Sequence, residues 1–202
     1  LGFVVEEYTN QKLEHLSEEY IFTPLGMKNT SMVWKAEFDS DYALGYDKSG
    51  KVSGMAKRPV AKAAGSMTTT ASDYAKFVLA IMKRKDLNQK LLNEMLTPQV
   101  KIISKKGFGP ARDSLITKFD AISLSWGLGV GLFKSTQGKA FFHTGHDNGW
   151  QNYFVAYPDK KMAVILMSNS SNFEPIASKI LSLCITDKDS PLSWLGYYDN
   201  ND

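Results

Sequence analysis

Phe142-His-Thr-Gly-His-Asp-Asn-Gly-Trp150 is the densest polar cluster in the chain, and it follows directly on an apolar, strand-like run. It holds two of the three histidines and is bracketed by aromatics. Asp147-Asn148-Gly149 is turn-prone, so the stretch taken alone is a hairpin tip. Working outward, Leu124 to Phe133, Ala140 to His143, Gln151 to Tyr157 and Met162 to Ser168 are short strand-like runs separated by turn residues. Tyr157-Pro-Asp-Lys-Lys-Met162 makes a hairpin connection between the last two. A final helix starts at Asn172, with Glu174 in its first turn and Pro175 just inside, and carries Ile176, Ile180, Leu181 and Cys184.

The first 120 residues have a different texture. Leu13, Leu16, Tyr20 and Ile21 fall at helical spacing, and Pro24-Leu-Gly26 stops that helix. Residues 28–62 show no sustained period and many turn residues, which predicts loop with short extended pieces. Thr70-Ala-Ser-Asp73 has the form of a capping box, in which Thr70 caps the N3 amide and Asp73 reaches back. Tyr74, Phe77, Val78, Ile81 and Met82 then form one apolar helix face, and a second helix near Asn88 to Thr97 carries Leu91, Leu92, Met95 and Leu96. The expectation is an α+β fold, an antiparallel sheet flanked by helices. Residues 1–120 would be mostly helix and loop, and 121–202 strands, a helix and a tail that docks through Trp194, Tyr197 and Tyr198.

Composition narrows the function classes. With 43% hydrophobic and 12% aromatic residues over 202 positions, the chain is neither disordered nor a coiled coil. A domain of this length buries roughly 70% of its unfolded surface and needs no disulfide or metal to hold it. The longest apolar runs, such as Met162 to Met167, are too short to span a bilayer. Net charge is +3, and the clusters Lys83-Arg-Lys85 and Lys105-Lys106 form no basic stripe, which points away from nucleic acid. Cys184 is the single cysteine, so there is no intrachain disulfide; its apolar surroundings predict a buried, inert thiol. The opening Leu1-Gly-Phe-Val-Val5 has neither an initiator Met nor a signal-peptide pattern, and it reads as part of a buried element preceded by further sequence.

The polar cluster admits few kinds of chemistry. A metal would need a third ligand beside His143 and His146, and His15 lies far away in a helical segment. Gly127-Leu-Gly-Val-Gly131 does not match the dinucleotide pattern and falls within a strand-like run, where glycine permits bulging or close backbone approach. No cofactor is implied. No serine is singled out as a nucleophile by its local context.

The order of three motifs resembles the serine β-lactamase-like family, which includes class C β-lactamases and penicillin-binding-protein-type DD-peptidases. Ile21-Phe-Thr-Pro-Leu-Gly-Met-Lys-Asn-Thr30 is similar to the family's "PLGM…T" turn. Ala63-Ala-Gly-Ser-Met-Thr-Thr-Thr-Ala-Ser-Asp-Tyr-Ala-Lys-Phe77 resembles its "AAGG…STA-D" loop and helix. His143-Thr-Gly145 resembles its H/K-T-G strand.

The resemblance implies an incomplete β-lactamase/transpeptidase-like fold, residues 1–202 being its C-terminal portion. The family uses Ser-x-x-Lys for nucleophile and base, and Tyr-x-Asn as proton shuttle. No serine here has Lys three residues on. Tyr8-Thr-Asn10 and Tyr198-Asp-Asn200 read as chance occurrences, and Tyr8-Thr-Asn10 follows the Leu1–Glu6 stretch that the family's shuttle precedes. The implied protein is a serine hydrolase acting on an amide or ester (β-lactam, D-Ala peptide or ester) through an acyl-serine, with this chain inactive alone. The alternative is a non-catalytic binding protein that retains the fold.

On the matching strand, His143 and the His146 amide would be catalytic, the latter as oxyanion donor, while Thr144 and Gly145 would bind substrate. His143, where relatives have Lys, carries full charge only at lower pH. The implied partners are a small-molecule or peptidoglycan-like substrate, and either a second copy or the N-terminal segment covering an exposed sheet edge. A periplasmic or extracellular location is implied by the resemblance alone.

Overall fold

Six antiparallel strands follow one another across a single sheet in the computed structural model, which describes residues 1–83 and 88–197. They are β3 (Val100–Lys101), β4 (Ser125–Trp126), β5 (Gly131–Ser135), β6 (Gly138–Asp147), β7 (Trp150–Tyr157) and β8 (Met162–Ser168). A small hairpin of β1 (Gly45–Tyr46) and β2 (Val52–Gly54) lies in the preceding loop region. Among the described residues the helices are α1 (Gly2–Thr9), α2 (Leu13–Ser17), α3 (Ala71–Lys83), α4 (Gln89–Met95), α5 (Glu174–Ile185) and α6 (Leu192–Leu195). This is the mixed helix and antiparallel-sheet arrangement expected.

Side chains alternate across a strand, so the sheet has two apolar faces. Phe141, Phe154 and Ala156 pack with Val78 and Ile81 of α3 and Leu92 of α4. Phe142, Tyr153, Val155 and Tyr157 pack on the other side with Ala177 and Leu181 of α5 and with Leu192, Trp194 and Tyr197 of the tail. The tail docks as expected through Trp194 and Tyr197; Tyr198 and the Tyr198-Asp-Asn200 motif lie outside the described residues, as do Arg84 and Lys85.

Several local expectations are corrected. Leu124 to Phe133 is two strands, because Gly127–Val130 turns between β4 and β5. Its Gly127 amide donates to Val130 O at 2.8 Å, and Leu128 N donates to Met95 O. A Cβ on Gly127 would stand 2.0 Å from Met95 O, so the turn can lie against α4 only with glycine there. The strand starting at Ala140 begins at Gly138 and continues past His143 to Asp147.

Half of the capping box forms: Asp73 N donates to Thr70 Oγ1 at 3.2 Å. The Asp73 carboxylate does not reach back. It is buried and accepts from Asn29 N, the Thr30 hydroxyl and Lys76 Nζ, fastening the 29–30 loop to α3. Burial, which would raise its pKa, is outweighed by these donors, and the carboxyl titrates below its ordinary value.

Cys184 is exposed, because α5 turns Ala177 and Leu181 to the sheet and Cys184 away from it. The opening segment is helical but buries nothing: Phe3 is 85% exposed and no residue of α1 is buried.

Candidate active site

The expected site residues occupy the second half of β6, and the two halves of this strand are paired differently. The pairing with β5 stops at Gly131, the first residue of that strand, opposite Phe142, so among the described residues β7 is the one strand paired with β6 from His143 to Asp147. Backbone groups in an antiparallel pair point alternately to either side. Lys134 N donates to Ile122 O at 2.7 Å, away from β6, so Gly131, Phe133 and Ser135 are the β5 residues that face it. Their partners Phe142, Ala140 and Gly138 face back. By the same alternation the main-chain N–H and C=O of Thr144 and His146 point to the side that β5 has vacated. No strand among the described residues takes them up.

The side chains divide between the two faces. His143 has the strand parity of Phe141, opposite Phe154, while its ring lies 5.6 Å from that of Trp126, which packs with the α5-side cluster. Burial pushes its imidazole pKa down, with a hydrogen bond to the Thr144 backbone acting the other way. His143 is therefore uncharged at neutral pH. Gly145 leaves the strand bare between them: a Cβ there would meet nothing nearer than Asn152 at 3.9 Å. Asp147 pairs with Arg58 at 3.3 Å, tying the 34–58 loop to the hairpin tip.

Thr144 and His146 are on the α5 face. The Thr144 hydroxyl donates to Asn152 O at 3.1 Å and lies 2.9 Å from the Tyr197 hydroxyl. Burial raises the Tyr197 phenol to about 12. His146 Nδ1 is 2.8 Å from Glu174 Oε1. Glu174 is brought there by Gln151, the residue opposite His146 on β7. The buried Gln151 Oε1 accepts from both Phe173 N (3.0 Å) and Glu174 N (2.9 Å), while Nε2 donates to Ser171 O (3.1 Å). A strand side chain thus caps α5 in place of the expected Asn172, answering two of the orphan amides of the first turn. His146 also borders a cleft of about 600 Å³, shared with Lys48, Asn148 and Ser171.

The structure brings Thr144 and His146 to one face, and parity starts the His143 side chain from the other, as a strand must for positions an odd number apart, though its ring meets Trp126. Sequence reasoning missed Glu174, Gln151 and Tyr197. Period-two alternation could have paired His146 with Gln151 across the hairpin, but no local signal marks Glu174 or Tyr197 as neighbours.

The Beta-lactamase family model matches residues 1–180. The chain belongs to the beta-lactamase family. It is 24% identical over 215 residues to an unguisins hydrolase of Aspergillus campestris, covering 98% of this chain and 38% of that protein. Two solved structures share the fold. An octameric penicillin-binding protein homologue from Pyrococcus abyssi superposes with a TM-score of 0.72 at 23% identity, over 92% of this chain and 40% of that one. A class C beta-lactamase gives 0.63 at 19% identity, over 84% and 49%. The chain therefore spans less than half the length of each of these relatives. Its fold is the penicillin-binding-protein and class C arrangement in part. No helix among the described residues is long and apolar enough to cross a membrane.

Proposed function

We propose that this chain supplies the substrate-binding strand of a serine hydrolase that cleaves an amide or ester, of the β-lactam, D-Ala peptide or ester class, through an acyl-serine. One observation carries the reading: the half of β6 that bears His143-Thr-Gly145 keeps one edge unpaired, with the main chain of Thr144 and His146 facing it. An extended substrate can pair with that edge as an added strand. The His146 N–H then donates to the oxyanion that develops on the attacked carbonyl, and the nucleophile's own N–H would be the second donor. Gly145 lets the substrate backbone lie close. Neutral His143 offers a donor without a fixed charge. In this reading the Thr144 hydroxyl exchanges its partner Tyr197 for substrate.

The nucleophile, the lysine base that activates it and the proton shuttle belong to a segment outside these 202 residues, which form the C-terminal portion of the domain, and the chain alone turns nothing over. That segment is also the proposed cover for the outer edge of β8, Met162–Ser168, which among the described residues has a strand partner, β7, on one side only. An open edge of this length with apolar side chains is an association surface. The substrate is a small molecule or a peptidoglycan-like peptide.

Intact-mass spectrometry after incubation with a fluorophosphonate, and separately with a penicillin, tests the reading. The expected result is no adduct on this chain and one stoichiometric adduct on a longer product that carries a Ser-x-x-Lys segment. An adduct on the isolated chain would put the nucleophile here and overturn the assignment. No adduct on the longer product would favour a binding protein that keeps the fold.

A further inference from the structure

The reading above uses the main-chain amide of His146 and leaves its side chain without a task. That side chain is not loose. Its Nδ1 lies 2.8 Å from Glu174 Oε1, and a carboxylate can only accept, so in the neutral ring the proton sits on Nδ1. Nε2 is then left with its lone pair free, and no partner for it occurs among the described residues. The ring is 58% exposed at the wall of the cleft, while Glu174 behind it is 21% exposed. Glu174 is itself fixed, since Gln151 Oε1 holds its amide and that of Phe173. A ring held by a carboxylate at Nδ1, more than half exposed and with an unpartnered lone pair on Nε2, is the arrangement a general base requires.

The geometry points to His146 Nε2 as the catalytic base that activates water for hydrolysis of the acyl-serine, with Glu174 as its positioning residue. The inference rests on the reading above, because a carbonyl oxygen held on the His146 amide is only one side chain's reach from the ring of the same residue. The water oxygen attacks the acyl carbonyl carbon while Nε2 takes one water proton. The tetrahedral oxyanion stays on the His146 amide. When it collapses, the bond from carbon to the serine oxygen breaks, and the imidazolium returns its proton to that oxygen. Glu174 stabilises the imidazolium in between and keeps Nδ1 protonated throughout.

The test is pre-steady-state hydrolysis of p-nitrophenyl acetate by the full-length protein that carries the serine, as wild type, His146→Gln and Glu174→Gln. The burst of p-nitrophenolate reads acylation, and the steady phase reads deacylation. His146→Gln retains the main-chain amide, so its burst should stay within about twofold, while its steady phase should fall about a hundredfold, the range of a lost general base. Acetylated protein should then accumulate in the intact-mass spectrum. Glu174→Gln should slow the steady phase about tenfold and leave the burst.

An unchanged steady phase in His146→Gln overturns the inference. So does an equal loss in both phases, which is the mark of a structural role. Fluorophosphonate labelling separates the two proposals. A labelled protein with normal His146→Gln turnover sinks the base alone, whereas a wild-type protein with neither burst nor label sinks the acyl-serine reading and the base with it.

Discussion

The two halves of β6 are the same strand built for different ends. Gly138–Phe142 has strand partners on both edges, β5 and β7, and Phe141 and Phe142 are buried on opposite faces. His143–Asp147 has one partner, polar side chains, and a main chain that faces an empty edge on alternate residues. The first half fixes the strand in the core so rigidly that the second can leave backbone groups unpaired and still hold its line. Precision at a binding edge comes from the packed element that carries it.

The largest effect should come from breaking the packed half. Phe142 is fully buried and makes ring contacts with Trp126 (5.9 Å), Phe133 (5.8 Å) and Tyr153 (6.1 Å). Phe142→Ala deletes a ring from the centre of the α5-side core, at a cost of about 3–5 kcal/mol. Against a typical total of about 5–15 kcal/mol, that leaves a chain close to unfolding. Urea titration followed by tryptophan fluorescence reads it directly. A midpoint near that of the wild type would mean that the halves do not differ in the way described.

A smaller effect is expected across the pair where β5 begins. A Cβ on Gly131 would fall 2.3 Å from the Phe142 ring, which lies over the glycine and has nowhere to go in a buried cluster. Gly131→Ala should therefore cost about 1–3 kcal/mol through overpacking. It should also disturb the last pairing before the edge opens, and a thermal melt measures it. A variant as stable as the wild type would show that the ring can tilt away.

The same contrast explains which features the sequence could disclose. The strand-like run through Phe141 and Phe142, the turn at Asn148-Gly149 and the apolar face of α3 are local patterns, and they were legible; on α5 only Leu181 and Ile180 of the four expected residues meet the core, while Ile176 and Cys184 are exposed. The end of the β5 pairing at Gly131 was not legible. The glycine-rich, strand-like run from Leu124 to Phe133 hides a turn that depends on Met95 O of α4, far away in the chain. The caps failed for a related reason. Asp73 and Gln151 both serve long-range partners, Asn29 in one case and Phe173 in the other, so a pattern of neighbours pointed to the wrong acceptor. Cys184 stood in an apolar run, but which side of α5 meets the sheet is a tertiary matter. At the site, the H-T-G resemblance pointed to this strand, and the observed register then set Thr144 and His146 on one face. Glu174 is 28 residues from His146 and Tyr197 is 53 from Thr144, and only the packing of α5 and the tail brings them in.

The smallest effect on stability should come from the glycine that most resembles Gly131 in sequence terms. Gly145 also lies inside β6, but its added Cβ would meet only Asn152 atoms at 3.9 Å, ordinary contact. Its backbone is not in the left-handed region, so alanine introduces no strain there. Removing a glycine from a strand interior lowers the entropy of the unfolded chain, so Gly145→Ala should leave stability unchanged or raise it by about 0.5–1 kcal/mol. Function should move the other way. A methyl on the α3 face of the open edge occupies the space where a substrate backbone would lie, and fluorophosphonate labelling of the full-length protein should slow by about tenfold or more. Two glycines on neighbouring strands of one sheet would then separate cleanly, one needed by the fold and the other by the edge. A drop of several degrees in the melting temperature of Gly145→Ala would mean that the second half of β6 is packed after all, and labelling at the wild-type rate would mean that substrate does not lie along it.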